Sequence, residues 1–147
     1  MEIREIDLSD SMMLDKVSFF ISEHSWGHDY PVKPSEEHEK AEYCVGVYNN
    51  DELVGIGIIN RFSSPDGKDN GELWLADAVV LPEFRGRGIY RKLYDTRMQY
   101  ALQQPRRILS CTDNPIMEKF FLKNGWFLLR ETLDEEGGRC LVFEYKK

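Results

Sequence analysis

The sequence lacks a long apolar run, clustered cysteines and clustered histidines. A helix that crosses a bilayer needs roughly 20 apolar residues, and no such run occurs. The amino terminus, MEIREIDLSD, is charged from its second residue, which is unlike a secretory signal. Cys44, Cys111 and Cys140 are far apart, so neither a disulfide framework nor a metal site is predicted. We therefore expect a soluble, cytoplasmic protein with one or more free thiols.

The sequence also lacks an excess of positive charge. Among 147 residues, 19 are Lys or Arg and 26 are Asp or Glu, which gives a net charge of −7 and a pI of about 5.0. This balance argues against nucleic acid or an anionic membrane as a partner and favours a cationic one. The length suits one domain, residues 1–147, and an apolar content of 41% is enough for a core.

The apolar pattern predicts an α/β (α+β) architecture. Alternating apolar residues predict strands at 1–7, 43–47, 53–62, 72–81, 107–111, 126–129 and 140–145. Helices are predicted after Ser9 or Asp10, from Ile89, and after Asp113 or Asn114, and a loop with a short helix or turn is predicted over 22–40. Hairpins mix with strand–helix–strand units, which predicts a mixed sheet.

One segment predicts a site for phosphate. The strand that ends at Pro82 runs into PEFRGRGIY and then directly into a helix. Helix amino termini carry free N–H groups, and glycines let the backbone approach an anion closely. Arginines in such a turn oppose the helix dipole, so they favour a compensating anion. The segment lacks the GK[ST] of a P-loop and the GxGxxG of a dinucleotide fold, and a tight turn with solvated arginines is the alternative.

The charge is unevenly distributed along the chain. Residues 85–107 hold seven Lys or Arg residues and one Asp, a net charge of +6, which leaves −13 for the rest. This split predicts a basic site for an anionic cofactor within an acidic protein. Gly55 and Gly57 interrupt a predicted strand, which indicates that another group approaches closely there.

The same segment carries a family resemblance. VVLPEFRGRGIYRKLY resembles motif A of the GNAT superfamily of acyl-CoA-dependent N-acyltransferases, whose pattern is Arg/Gln-x-x-Gly-x-Gly/Ala. NPIMEKFFLKNGW resembles the Asn-led helix of that family. The resemblance implies a single domain with a mixed, mostly antiparallel central sheet of six to seven strands, flanked by about four helices, with splayed central strands at the cofactor site.

The resemblance also implies acetyl-CoA as the cofactor. The implied pyrophosphate ligands are the backbone N–H groups of Arg85, Gly86, Arg87, Gly88, Ile89 and Tyr90. The implied pantetheine neighbours are Ala78, Val79, Val80, Asn114 and Phe121. An N–H near Val80 would polarise the thioester carbonyl, and the acceptor amine would attack it directly.

Two residues depart from the family pattern. Tyr90 stands where the pattern has Gly or Ala, so its ring must turn away from the phosphates. Phe121 stands where many members have a tyrosine that protonates the leaving thiolate, which phenylalanine cannot do. Tyr94 and Tyr30 are candidate substitutes for that acid, but the sequence does not indicate whether either lies near the thioester.

The general base has two candidates. Asp77 interrupts an apolar strand three residues before Val80, and a carboxylate there needs either a catalytic role or a local partner. His28 lies in the polar loop after the first helix, where it could act as a base near neutral pH, although the polarity of the loop favours a solvated histidine. Cys111 fits a buried strand residue better than a nucleophile.

These observations predict an N-acetyltransferase acting on an amine of a small molecule or peptide, with a cationic acceptor favoured by the charge. A non-catalytic acyl-CoA sensor is the first alternative, because of Phe121 and the absence of a carboxylate from 108–112. A nucleic-acid-binding protein is disfavoured by the acidic balance. A homodimer stays open, since exposed edge strands can pair.

Overall fold

The computed structural model describes residues 1–24 and 41–147, which form seven strands and three α-helices. The strands are β1 (Glu2–Glu5), β2 (Tyr43–Asn49), β3 (Glu52–Asn60), β4 (Leu73–Val80), β5 (Ile108–Thr112), β6 (Trp126–Leu133) and β7 (Arg139–Tyr145). The helices are α1 (Ser11–His24), α2 (Ile89–Leu102) and α3 (Pro115–Lys123), and a 3-10 turn covers Pro82–Phe84.

The strands form one mixed sheet in the order β1-β2-β3-β4-β5-β7-β6. The β1–β2, β2–β3, β5–β7 and β6–β7 pairs are antiparallel, and the β4–β5 pair is parallel. The predicted fold class is therefore confirmed. The described residues contain three helices where about four were expected, and residues 25–40 of the predicted loop and short helix lie outside them.

The chain divides into two compact units. The first comprises residues 1–59 and 77–100, and the second comprises 60–76 and 101–147. Strand β4 therefore contributes residues to both. The predicted extent of one domain over 1–147 and the predicted splaying of the central strands stay predictions.

In the first unit, α1 begins as predicted at an Asp10 cap. The Asp10 carboxylate accepts from the N–H of Met12 at 2.9 Å. The prediction of a loop from Ser22 is wrong for the first three residues, because α1 continues to His24. The ring of His24 packs against that of Phe20, one turn earlier, with centroids 5.0 Å apart, which extends the helix.

The glycines of β3 allow α2 to lie close to the sheet, as predicted. A Cβ on Gly55 would stand 2.9 Å from Ile89 Cγ2, and a Cβ on Gly57 would stand 2.9 Å from Arg97 Nε. Since real Cβ atoms do not approach so closely, glycine at position 55 leaves room for Ile89 at the start of α2, and glycine at position 57 leaves room for the side chain of Arg97.

In the second unit, Trp74, Leu109 and Val142 form a fully buried apolar cluster. Strand β6 was predicted to end at Leu129 but continues to Leu133, because an irregularity between Leu128 and Arg130 interrupts the alternation without ending the pairing with β7. No helix in either described range combines the length and the apolar composition needed to cross a membrane.

Candidate functional site

The site is built at the carboxyl end of β4, in the first unit. The N–H of Leu81 donates to the carbonyl of Val54 at 2.9 Å, which fixes the point where the chain leaves the sheet. The turn over Pro82–Phe84 leads into Arg85, which is extended, with φ −68° and ψ 151°. Arg85 Nε donates back to the carbonyl of Val80 at 3.2 Å. This contact ties the turn to the strand that precedes it.

Two glycines then bring the chain into α2. Gly86 has φ +77° and Gly88 has φ +78°, in the left-handed region that favours glycine. A Cβ at either position would meet nothing within 4 Å, so the space beside the turn is open. The requirement for glycine therefore comes from backbone conformation and from access to the turn.

The turn leaves backbone donors unused. The N–H of Lys92 donates to the carbonyl of Gly88, the residue before α2, at 3.2 Å. Within the described part of the chain, the N–H groups of Gly86, Arg87, Gly88 and Ile89 meet no protein acceptor. We call these four N–H groups the amide cradle. Open donors at the positive end of a helix dipole form a binding site for an anion.

The N–H of Arg85, which was expected to be a pyrophosphate ligand, differs from the four N–H groups of the cradle, and its role stays a prediction. This N–H donates to the carbonyl of Pro82 at 3.3 Å, so the amide cradle begins at Gly86. The guanidinium groups of Arg85 and Arg87 are on exposed residues, and that of Arg87 lies 5.0 Å from the ring centre of Phe84. Both side chains therefore add positive charge next to the cradle.

The basic segment carries less available charge than its sequence indicated. Arg91 pairs with Asp95, and Arg107 pairs with Asp69 and Glu144 within the second unit. Arg97 is 1% exposed and cannot contact a ligand in solvent. The net charge of +6 therefore overstates the attraction for an anion at the turn.

Tyr90 resolves one departure from the family pattern. Its hydroxyl is hydrogen-bonded by the guanidinium of Arg97, seven residues later on the same face of α2. Burial raises the pKa of the Tyr90 hydroxyl, and the Arg97 charge opposes that rise. The side chain is thus held toward the interior of the first unit and away from the amide cradle.

Asp77 is half-buried on β4. Burial lowers the pKa of the Arg97 guanidinium, and the hydrogen bond with Tyr90 and the negative charge of Asp77 act against that shift. Asp77 therefore has a cationic neighbour in its own unit. Such a local partner is what the alternative to a catalytic role, a purely structural carboxylate in an apolar strand, requires. Val79 and Val80 are buried and Ala78 is half-buried, which places the backbone of this part of β4 in an apolar environment.

Asn114 and Phe121 lie in the second unit. Asn114 is exposed and caps α3, because its side-chain oxygen accepts from the N–H of Ile116 at 2.8 Å. Phe121 is 3% exposed, and its ring lies 4.8 Å from that of Trp126 and 5.2 Å from that of Phe143. Phe121 is thus part of an aromatic core cluster. The second base candidate, His28, lies outside the described residues.

Sequence reasoning missed Arg97, which it counted as a surface cation. Two signals were present. Arg97 follows Tyr90 by seven residues and Leu93 by four, which places it on the apolar stripe of α2. Gly57 is an unexplained glycine in a strand, and it provides the space that the guanidinium fills.

Comparisons with known proteins give a consistent result. A model of the acetyltransferase (GNAT) family matches residues 8–126. An uncharacterized N-acetyltransferase from Archaeoglobus fulgidus is 30% identical over 121 residues, which cover 74% of this chain and 78% of that protein.

Solved structures share the fold. The crystal structure of aminoglycoside 6'-acetyltransferase type Ii has a TM-score of 0.74 at 20% identity, over 99% of this chain and 97% of that one. An aminoglycoside 6'-N-acetyltransferase complexed with coenzyme A has a TM-score of 0.72 at 17% identity, over 98% and 96%. A ribosomal-protein-alanine N-acetyltransferase from Brucella melitensis has a TM-score of 0.71 at 16% identity, over the full length of both chains.

The described residues also fit the family's cofactor. Acetyl-CoA contains a pyrophosphate, and the amide cradle offers open donors, unhindered glycines and flanking arginines to such a group. With a family model matched over most of its length, the chain belongs to the GNAT family of acetyltransferases and uses acetyl-CoA as its cofactor.

Proposed function

We propose that this protein transfers an acetyl group from acetyl-CoA to an amine of a small molecule or peptide. The amide cradle is the observation that carries the proposal, because its four neighbouring open N–H groups, at the start of a 14-residue helix, favour the binding of an anion. Family membership supports a pyrophosphate as that partner.

The residues around the cradle would then have separate tasks. The N–H groups from Gly86 to Ile89 bind the pyrophosphate, and the side chains of Arg85 and Arg87 add charge. The backbone of Ala78–Val80 lies along the pantetheine, with an N–H near Val80 directed at the thioester carbonyl. Asn114 contributes a pantetheine contact through its amide nitrogen, since its oxygen is committed to capping α3.

Asp77 is our candidate for the general base. An amine that is protonated at neutral pH must lose a proton before it can attack a carbonyl. Acetyl-CoA supplies the acetyl group as a reactive thioester. The acceptor amine would attack its carbonyl directly while both are bound, so that the C–N bond forms, the C–S bond breaks, and coenzyme A leaves as a thiolate that takes its proton from water. The net charge of −7 favours a cationic acceptor. His28 remains the second candidate for the base.

Binding without turnover is the second candidate function. Phe121 is buried among aromatic rings and has no hydroxyl to protonate a thiolate. An acyl-CoA sensor needs the amide cradle but needs neither an acid nor a base. Thiol release distinguishes the two functions, because only the enzyme produces free coenzyme A.

The experiment is a thiol-release assay with acetyl-CoA over a panel of polyamines, aminoglycosides, amino acids and peptides. We expect release with one class of amine. Asp77→Asn should lower kcat by about 10²- to 10⁴-fold and remove the acidic limb of its pH profile, because the amide cannot accept the proton. The matched control is Asp95→Asn, which changes an exposed carboxylate on α2 and should keep kcat within about twofold.

Three results are informative. No thiol release with any amine, together with tight binding of coenzyme A, supports the sensor. Release with an unchanged pH profile in Asp77→Asn overturns the role of Asp77 and leaves acetyl transfer intact. No binding of coenzyme A overturns both functions.

A further inference from the structure

Tyr90 occupies the position next to the amide cradle at which the family pattern has a small residue. The N–H of Tyr90 follows that of Ile89 in the first turn of α2, so its side chain starts beside the groups that receive the pyrophosphate. A tyrosine that turned outward would obstruct the open space beside Gly86 and Gly88. Something must therefore keep the ring inward.

Arg97 supplies that restraint. Its guanidinium hydrogen-bonds the Tyr90 hydroxyl, and the two residues are two helical turns apart on one face of α2. Because the arginine is charged, this hydrogen bond is stronger than one between neutral groups.

Arg97 is itself fixed in place. Its Nε donates to the carbonyl of Leu93 at 3.2 Å, and its Nη1 donates to the carbonyl of Ile58 on β3 at 3.3 Å. The absence of a side chain at Gly57 creates the space for it, and the charge of Asp77 faces it. A fully buried cation with several partners resists displacement, because any movement leaves a buried charge or carbonyl unpaired.

We propose that Arg97 is a positioning residue for the coenzyme, which acts through Tyr90 to fix the first turn of α2 and hold the amide cradle open to a pyrophosphate. This inference rests on the proposed function and adds to it a residue that cannot itself touch the ligand. Two hydrogen bonds of Arg97, one to the carbonyl of Ile58 and one to the hydroxyl of Tyr90, thus connect strand β3 to the residue that follows the cradle.

The test compares two acetyl donors. Acetyl-CoA carries the pyrophosphate, and S-acetylpantetheine carries the same thioester without it. A loss of general stability affects the use of both donors alike, whereas a misplaced cradle affects only the donor with a pyrophosphate. The readout is the ratio of kcat/KM for acetyl-CoA to that for S-acetylpantetheine.

The variant is Tyr90→Phe, which removes only the hydroxyl. We expect the ratio to fall about tenfold, chiefly through KM for acetyl-CoA, which corresponds to about 1.4 kcal/mol. The matched control is Tyr100→Phe, which removes a hydroxyl bonded to Glu42 at the other end of α2 and should leave the ratio unchanged. Thermal melts establish that both variants are folded.

Each outcome decides the proposal. A tenfold fall in Tyr90→Phe with no change in Tyr100→Phe supports it. A folded Tyr90→Phe with the wild-type ratio overturns it and leaves acetyl transfer intact. If the wild type releases no thiol from either donor, the proposed function fails, and calorimetry with coenzyme A then decides: about tenfold weaker binding in Tyr90→Phe than in Tyr100→Phe supports the positioning role, and equal binding overturns it.

Discussion

Two turns in this protein contain glycines at positive φ, and arginines contribute to the two turns in opposite ways. The turn from β4 to α2 leaves the N–H groups of Gly86–Ile89 open and exposes Arg85 and Arg87. In the loop from β3 to β4, residues 61–72, two carboxylates are instead paired with arginines from elsewhere in the second unit. There, Asp66 and Asp69 bind Arg130, and Asp69 also binds Arg107.

The difference separates a binding element from a stabilising one. In the β3–β4 loop, Arg130 Nε and Nη2 hold the two carboxylate oxygens of Asp66 at 2.8 and 2.9 Å, in a bidentate pair. In the β4–α2 turn, the four N–H groups of the amide cradle have no protein acceptor within the described residues, and no side chain caps them. The arginines of the β4–α2 turn are therefore available to a ligand, whereas Arg130 is committed to the carboxylates of the β3–β4 loop.

The largest expected effect is at Gly88. We expect Gly88→Asp to weaken coenzyme A binding by about 100-fold or more, because a carboxylate would face the pyrophosphate and φ +78° strains any side chain. Isothermal titration calorimetry measures the change.

The matched control is Gly137→Asp, in the β6–β7 turn. Gly137 has φ +81° and equally open surroundings, so the substitution imposes the same backbone strain away from the cradle. We expect its affinity for coenzyme A to stay within about twofold of the wild type. An equal loss of affinity in both variants would mean that strain, not position, causes the effect.

The second effect concerns the stabilising loop. Arg130→Met should lower the free energy of unfolding by about 2 kcal/mol, because it leaves the half-buried carboxylates of Asp66 and Asp69 with fewer partners. Urea unfolding at neutral pH measures it. The affinity for coenzyme A should not change. If the free energy of coenzyme A binding fell by more than the free energy of unfolding, the β3–β4 loop would also contribute to binding, which would contradict the proposed difference between the two turns.

The smallest expected effect is on how the free energy of unfolding depends on pH. The hydrogen bond from Arg130 holds the pKa of Asp66 well below its usual range. Burial pushes the pKa of Asp69 upward, but the hydrogen bonds and charges of Arg130 and Arg107 outweigh burial, so that the pKa of Asp69 is also lowered. Carboxyls with a lowered folded-state pKa stabilise the protein above their ordinary value of about 3.9, and that contribution is lost as the pH falls through the folded-state value. The stability gap between wild type and Arg130→Met should therefore narrow from about pH 5 to about pH 2. A constant gap over that range would exclude these carboxylates as its source.

The sequence predicted the β4–α2 turn well because its signals are local. Glycine placement and the start of an apolar helical stripe lie within nine residues, 82–90. The caps at Asp10 and Asn114 were predictable for the same reason.

Features that depend on distant residues were not predictable. Arg97 is buried because Gly57, forty residues earlier, leaves room for it. Strand β6 continues past Leu129 although a charged residue follows, and that residue, Arg130, is paired with Asp66, which is 64 residues away. The roles of Asp77 and Asn114 in the reaction stay predictions, since the contacts of their own units do not test them.

The most direct test of the account is amide NMR of the ¹⁵N-labelled protein on addition of coenzyme A. We predict large shifts and slowed hydrogen exchange at the N–H groups of Gly86, Arg87, Gly88 and Ile89, with little change in residues 61–72, and no such protection with pantetheine, which lacks the pyrophosphate. Saturating coenzyme A that leaves those four amides unshifted and exchanging freely would contradict the account.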